Sequence, residues 1–264
     1  MDEVTALDQA HAAMQAAPEE DAARLRFYDR LAHCELFLML KEEAGEGDQI
    51  TPELFEVGEA QYVLVFDREE RLAAFAGRQV PYVALSGRAI AGMLAGQGIG
   101  LGVNLEVAPS AILLPEAAVD WLNETLGHDP REVEAAISQV QAPTGLPEAL
   151  ITALDGKLAT AMGLAESAYL VGVTYETGAR GHLLGFVGAV PEAEGALARA
   201  ASEALTFSGI AAGAMDVGFF RGNDPIVARL RKVGLRFDLP QPQAPRAEPV
   251  VPPGSEPDKP PRLR

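Results

Sequence analysis

The segment QYVLVFDREERLAAF, residues 61–75, carries the clearest structural pattern in this chain of 264 residues. Its first half is an apolar run that ends at Asp67, which is typical of a buried strand. Leu72 and Phe75 then begin an apolar stripe with helical spacing. Glu70 follows Asp67 by three residues, and this D-x-x-E spacing predicts a capping box at the start of a helix. The segment therefore predicts a strand that runs directly into a capped helix.

Alternating strand and helix patterns continue through the first half of the chain. Apolar periodicity and breaker residues predict helices over 5–17, 19–34 and 87–95, and strands over 35–40, 81–86, 101–107 and 111–114. Ser86 stands where it would cap the helix that follows it. A further helix is expected from Pro115, which suits a first turn, to Gly127. This order predicts a mixed β-sheet covered by helices.

A second unit is predicted after the segment QAPTGL, residues 141–146, whose proline and glycine are typical of a linker. The strand patterns at 167–176 and 182–190 flank a short turn and predict a β-hairpin. Helices are also predicted over 147–163 and 191–207, and strands over 215–220 and 235–239. Asp224 and Pro225 are placed as the cap and first residue of a last helix that ends at Gly234.

The chain is therefore predicted to be an α+β protein with two domains, each a mixed β-sheet covered by helices. The expected domains are residues 1–140 and 147–239, joined by the linker 141–146. Residues 240–264 hold nine of the 19 prolines and almost no large apolar side chains. This segment is predicted to be a disordered, proline-rich tail with polyproline-II character, because it cannot form a core.

These motifs resemble those of the SseB family, a bacterial family named for an enhanced serine-sensitivity phenotype. The strand and helix of 61–75, the glycine-rich turn and strand of 94–107, and the helix PEAAVDWL at 115–122 resemble the SseB N-terminal domain. The Asp-Pro helix start at 224–225 and the Gly-x-x-Phe strand at 234–237 resemble the SseB C-terminal domain. Together these resemblances cover residues 5–239. They imply a two-domain fold and a link to serine tolerance, but no particular reaction.

The chain is strongly acidic, with a net charge of −17 and a pI near 4.6. Residues 1–140 contain 25 acidic and nine basic side chains. Such a surface repels phosphate backbones and anionic lipids, so neither a nucleic acid nor a membrane is expected as a partner. The single cysteine, Cys34, and an acidic N-terminus without an apolar leader predict a cytoplasmic protein.

No pattern typical of a cofactor or metal site is present in the sequence, and no cofactor is expected. The run GQGIGLG at 96–102 follows a predicted helix and precedes a strand, which reverses the order of a phosphate-binding loop, so it predicts a turn. The histidines lack metal-ligand spacing with one another or with Cys34. His11 is interpreted as a packed, hydrogen-bonded side chain, and Cys34 as a core residue rather than a nucleophile.

Two turns are candidate binding sites. Arg221, Asn223 and Asp224 lie in a polar strand-to-helix turn, and such turns host ligands at the ends of sheets. The alternative is that Gly222 only makes the turn and Asp224 only caps the helix. Asn104 lies just inside a predicted strand after the glycine run. It either contacts a ligand or, if buried, pins the neighbouring turn through hydrogen bonds.

Two classes of function remain open. The absence of a nucleophile, metal or phosphate-loop pattern favours a non-enzymatic regulatory or binding protein, whose partner is another protein or a small molecule. The alternative is an enzyme of serine or sulfur amino-acid metabolism with a site between the two domains. A pocket with convergent polar groups and perturbed ionisation would favour the enzyme, whereas a flat apolar face would favour the binding protein.

Overall fold

The computed structural model describes residues 4–43, 50–127, 136–209 and 215–241. Within these ranges the chain forms helices and two mixed sheets, so the predicted α+β class is confirmed. The predicted tail lies outside the described residues from position 242 onward. We call residues 4–127 the first unit and residues 136–241 the second unit.

The helices and strands follow one another in nearly the predicted order. The helices are α1 (Ala6–Ala16), α2 (Asp21–His33), α3 (Glu69–Ala76), α4 (Gly87–Leu94), α5 (Glu116–Leu126), α6 (Glu148–Leu158), α7 (Glu194–Phe207) and α8 (Pro225–Val233). The strands are β1 (Glu35–Met39), β2 (Leu54–Val57), β3 (Ala60–Phe66), β4 (Tyr82–Ser86), β5 (Ile99–Val103), β6 (Ile112–Leu114), β7 (Ile137–Gln141), β8 (Ser167–Tyr175), β9 (Arg180–Val187), β10 (Met215–Phe220) and β11 (Leu235–Asp238). None of the helices within the described ranges combines the length and apolar character that crossing a bilayer requires.

The first sheet has the order β4-β1-β3-β5-β6, and β2 also pairs with β3. Strands β3 and β5 are parallel, and the other pairs are antiparallel. Alternate residues of the strands face opposite sides, as the pleat requires. Leu38 and Val65 join the core beneath α2, α4 and α5, whereas Leu64 and Phe66 pack with Leu72 of α3 on the other side.

The strand and helix predicted from residues 61–75 are present as β3 and α3, but the predicted capping box is wrong. Arg68 occupies the N-cap position of α3, and its side chain makes no capping hydrogen bond. The Asp67 carboxylate lies 2.8 Å from Nη1 of Arg71 and accepts a hydrogen bond of 2.6 Å from the Thr5 hydroxyl. Thr5 and Arg71 therefore occupy both carboxylate oxygens of Asp67, which a helix cap would need.

The glycine-rich run forms the predicted turn between α4 and β5. Gly96 and Gly98 have φ angles of 71° and 72°, in the left-handed region that favours glycine. The following strand is shorter than predicted, because it ends at Val103 rather than Val107. Asn104 and Glu106 have φ angles of 50° and 63°, and residues with left-handed backbone cannot continue a strand. The Ser86 cap of α4 is confirmed by a 3.2 Å hydrogen bond from the backbone N–H of Ala89.

The second sheet has the order β10-β9-β8-β11, with β7 paired to β8. Strands β8 and β9 form the predicted hairpin, and β9 and β10 are parallel. Helices α6 and α7 cover one face, where Leu154 and Leu197 pack with Phe186. Helix α8 covers the other face through Val227 and Leu230. Strand β7 belongs to this sheet through its pairing with β8. The predicted domain boundary at residue 140 stays a prediction.

The two units pack on each other through α7, which contacts α2 and α5 of the first unit. Phe207, the last residue of α7, is 2% exposed and belongs to the same buried cluster as Phe27 and Leu31 of α2. Lys157 of α6 lies over its ring, with Nζ 5.8 Å from the ring centre. The core of the first unit is therefore completed by a side chain from the second.

Candidate functional site

The predicted turn at residues 221–224 lines a cleft at one end of the second sheet. The turn connects β10 to α8, so it lies at the carboxyl end of the parallel pair β9 and β10. The cleft has a volume of about 430 Å³. Its lining residues are Gly188, Ala189, Pro191, Glu194, Phe219, Phe220, Arg221 and Asp224. The start of α7 and the start of α8 therefore border the same cleft.

Asp224 occupies the N-cap position of α8, but the predicted side-chain cap is wrong. Its carboxylate accepts a hydrogen bond of 2.7 Å from the backbone N–H of Arg221, and its own N–H donates to the Arg221 carbonyl at 3.0 Å. The carboxylate thus points back across the turn instead of forward into the helix. Pro225 is the first residue of α8, as predicted.

The cleft combines an aromatic wall with charges of both signs. Phe219 stacks on Phe186, with ring centroids 5.5 Å apart. Arg221 is exposed, and the carboxylates of Glu194 and Asp224 are half-buried. Such a lining can hold a small polar molecule by packing and by paired charges. Asn223 lies exposed within the same turn.

Asn104 lies in the first unit, away from the 221–224 turn, and it is fully buried. Its amide oxygen accepts a hydrogen bond of 3.0 Å from the backbone N–H of Asp67, and its amide nitrogen donates to the Ser110 hydroxyl at 2.8 Å. The side chain therefore ties the end of β3 to the turn after β5. This geometry supports the interpretation that Asn104 pins its neighbouring turn.

Asn104 belongs to a buried polar network that sequence reasoning missed. Arg71 is 4% exposed, and its guanidinium bonds the Asp8 carboxylate at 2.6 and 3.0 Å and the Asp67 carboxylate at 2.8 Å. Ser110 also donates to Asp8, at 2.6 Å. Burial raises the pKa of Asp8, but the bonds from Arg71 and Ser110 outweigh it and hold that pKa well below its ordinary value. An arginine within the apolar stripe of α3 was the available signal for this network.

A second cluster of charges lies where the two units meet. Glu203 of α7 is 5% exposed, and three cationic side chains surround its carboxylate. The distances are 2.5 Å to Arg88 Nη2, 3.1 Å to His33 Nε2 and 3.2 Å to Lys157 Nζ. Asp29 of α2 also lies 2.8 Å from Lys157 Nζ. We call these five residues the inter-unit cluster. Because His33 and Glu203 are 170 positions apart, no spacing in the sequence could have revealed this cluster.

The charges of the inter-unit cluster stabilise one another. Burial raises the pKa of Glu203, but the hydrogen bond from His33 and the charges of Lys157 and Arg88 outweigh it and lower that pKa to about 2. Burial likewise lowers the pKa of His33, but its bonds to Asp29 and Glu203 raise it to about 9. Both shifts favour the charged form, which is the signature of paired ions rather than of a proton-transfer group.

Cys34 and His11 behave as packed side chains. The Cys34 thiol donates to the Leu31 carbonyl at 3.4 Å, and burial raises its pKa to about 12, so it is not a nucleophile at neutral pH. His11 is 6% exposed and lies against Phe27. Among the described residues, no group of histidine, cysteine and acidic side chains is placed to hold a metal ion.

Residues 7–121 match the family model of the SseB protein N-terminal domain. This match identifies an SseB N-terminal domain in the first unit of the chain. The match covers the first sheet and most of α5, which includes the β3–α3 segment with the clearest pattern. The resemblance of the second unit to an SseB C-terminal domain stays a prediction. No curated protein and no solved structure matched the chain.

Proposed function

We propose that this protein, whose first unit matches the SseB N-terminal domain, is a cytoplasmic, non-enzymatic binding protein that takes a small polar molecule in the cleft beside the 221–224 turn. The observation that carries the proposal is the place of this cleft at the carboxyl ends of β9 and β10. Clefts beyond the carboxyl ends of parallel strands, bordered by the starts of helices, are common ligand sites. A volume of 430 Å³ lies within the range of about 300–1,000 Å³ that such sites have.

The ionisation pattern supports binding over catalysis. An acid or base catalyst needs a pKa near the working pH. His33 and Glu203 have the most strongly shifted pKa values of the inter-unit cluster, and both shifts hold them in their charged forms. Neither residue lines the cleft beside the 221–224 turn. The enzyme alternative would use the inter-unit cluster as its site and would require those ion pairs to open.

The test uses the full-length protein and a matched pair of arginine variants. Arg221 lines the cleft, whereas Arg229 lies exposed on α8 outside it, so Arg221→Ala and Arg229→Ala change the charge equally. Native mass spectrometry of the purified protein should find a small molecule that is retained by the wild type and by Arg229→Ala but lost from Arg221→Ala.

A thermal-shift screen with amino acids and small carboxylates identifies the ligand when none is retained through purification. A ligand that binds only the folded state raises the melting temperature, and the shift grows with the ratio of ligand concentration to dissociation constant. The proposal is wrong if no compound shifts the wild type, or if the shift is the same in Arg221→Ala. Turnover of a bound compound would support the enzyme alternative.

A further inference from the structure

A second cleft lies on the opposite flank of the same sheet, under the last turn of α8. Its volume is about 440 Å³, and its lining residues are Glu166, Ser167, Tyr169, Arg231 and Arg236. None of these residues lines the cleft beside the 221–224 turn. The two clefts are therefore distinct in their lining, although Glu166 of this cleft lies against Gly188 of the other.

The pairing of β8 with β11 brings the polar side chains of this cleft to one face. Ser167 and Tyr169 are two residues apart on β8, so their side chains point to the same side of the sheet. Arg236 of β11 is the direct partner of Tyr169 and shares that side. Helix α8 packs on this face through Leu230, which places Arg231 above it.

The two hydroxyls of the cleft belong to residues that are almost fully buried, and neither has a hydrogen-bond partner among the described residues. Ser167 is 5% exposed and Tyr169 is 4% exposed. Neither side-chain hydroxyl makes a hydrogen bond to any other residue in the described ranges. Neither hydroxyl oxygen is among the described side-chain atoms that are both closed off from solvent and unpaired. Both therefore open onto the cleft, where they are available as hydrogen-bond donors to a ligand.

The arginines supply positive charge beside these hydroxyls. Arg231 forms no ion pair within the described part of the chain. Arg236 lies 2.5 Å from Asp238, but both side chains are largely exposed, at 59% and 75%. Exposed ion pairs contribute little and exchange partners readily. Glu166, on the rim, is the opposing charge and limits how much negative charge a ligand can carry.

We infer that this cleft binds a small molecule through one oxyanion group, a carboxylate or a phosphate, held by Arg231 and Arg236 with the hydroxyls of Ser167 and Tyr169. Arginine forks match both kinds of oxyanion by paired hydrogen bonds. The hydroxyl groups complete the set of donors around it. This site is separate from the cleft of the proposed function.

Isothermal titration of the full-length protein tests the inference with two probes, inorganic phosphate and succinate, at constant ionic strength set with sodium chloride. Binding of either probe to the wild type is expected, and which one binds more tightly identifies the oxyanion. Arg231→Gln and Arg236→Gln should each weaken binding about tenfold, because each removes a charged donor. Arg229→Gln, an equal charge change on the same helix but outside the cleft, should bind as the wild type does.

Two further variants separate direct contacts from general charge. Tyr169→Phe keeps the packed ring and removes only the hydroxyl, and it should weaken binding about threefold to tenfold. Asp238→Asn removes the carboxylate that competes for Arg236, and it should strengthen binding about twofold to threefold. The inference is overturned if neither probe binds the wild type, or if Arg231→Gln and Arg236→Gln bind as tightly as Arg229→Gln.

Discussion

Asp224 stands at a helix N-cap position, but its side chain stabilises the preceding turn and not the helix. Its carboxylate and its backbone N–H both bond to the backbone of Arg221, so the turn is closed by a reciprocal pair. The helix start is supported by Pro225, whose fixed φ angle suits the first helical position. The stabilising contribution of Asp224 therefore belongs to the turn that lines the cleft.

Replacing Asp224 by Ala removes one acceptor and should cost about 1 kcal/mol of unfolding free energy. Asp224→Asn keeps an amide oxygen in the same position and should recover most of that stability. Urea denaturation of the three proteins measures the difference. Equal stability of the Ala variant and the wild type would contradict the role assigned to the carboxylate.

Asp8 has a larger expected effect, because it neutralises a buried arginine. Asp8→Ala leaves Arg71 with Asp67 as its remaining carboxylate partner and should destabilise the fold by about 3–5 kcal/mol. Asp21→Ala is the control, since Asp21 also pairs with an arginine, Arg24, but both side chains are more than half exposed. That control should change stability by less than about 1 kcal/mol. Similar losses for the two variants would exclude a special role for the buried pair.

Among the strands and turns, the connection after β9 joins the two clefts. Gly188 lines one cleft, and Glu166 of the other lies against it: a Cβ atom on Gly188 would come within 2.7 Å of Glu166 Cδ. The φ angle of Gly188 is 66°, in the left-handed region. Glycine is needed here both for the backbone and for the space.

A matched pair of glycine variants separates these two needs. Gly58 has the same φ angle of 66° but nothing within 4 Å of a Cβ atom. Gly58→Ala should therefore cost only the backbone strain, about 1–2 kcal/mol. Gly188→Ala should cost more, because the Glu166 side chain must also move. Thermal denaturation compares them, and an equal loss in both would show that the contact with Glu166 is unimportant.

The order and type of most elements could be predicted from the sequence, but β7 was missed and several contacts at the ends of elements could not be predicted. Apolar periodicity located β10 without error and β3, α3 and α8 closely, because burial repeats regularly along each element. The capping predictions for Asp67 and Asp224 were wrong because the Asp67 carboxylate bonds to Arg71 and the Asp224 carboxylate bonds to the backbone N–H of Arg221. The strand predicted over 101–107 extended too far, because Asn104 and Glu106 adopt a left-handed backbone. Asparagine favours that backbone more than most residues do but does not require it.

The candidate sites were predictable to different degrees. The 221–224 turn was found because its three polar residues lie within four positions of the sequence. The inter-unit cluster was not, because its members come from four helices, and only the packing of the units brings them together. The second cleft, lined by Arg231 and Arg236, was missed for the same reason, since β11 must pair with β8 before Arg236 reaches Tyr169.

Across the whole molecule, the inter-unit cluster makes stability depend on pH. The pKa of His33 is raised from an ordinary value of 6.5 to about 9 in the folded protein. Its stabilisation is therefore complete below pH 6.5 and is lost as the pH rises through 9. The pKa of Glu203 is lowered from 4.5 to about 2, so its stabilisation is complete above pH 4.5 and is lost as the pH falls through 2.

His33→Gln should flatten the alkaline part of this dependence. We expect the wild type to lose unfolding free energy between pH 6.5 and 9, and the variant to lose clearly less over the same interval. Urea denaturation at several pH values measures both curves. His182→Gln serves as the control, because His182 lies in β9 outside the cluster and should leave the wild-type curve unchanged. A variant curve that is parallel to the wild type would contradict the assignment of the alkaline loss to His33.

Phe207 makes the stability of the first unit depend on the second. The side chain belongs to the second unit by chain position but completes the core of the first by packing. A fusion of the first unit to a different second domain would leave a cavity beside Phe27 and Leu31 where Phe207 packs. Loss of a buried phenylalanine side chain lowers the free energy of unfolding by roughly 3–5 kcal/mol. We therefore expect the first unit to be less stable when it is produced without the second.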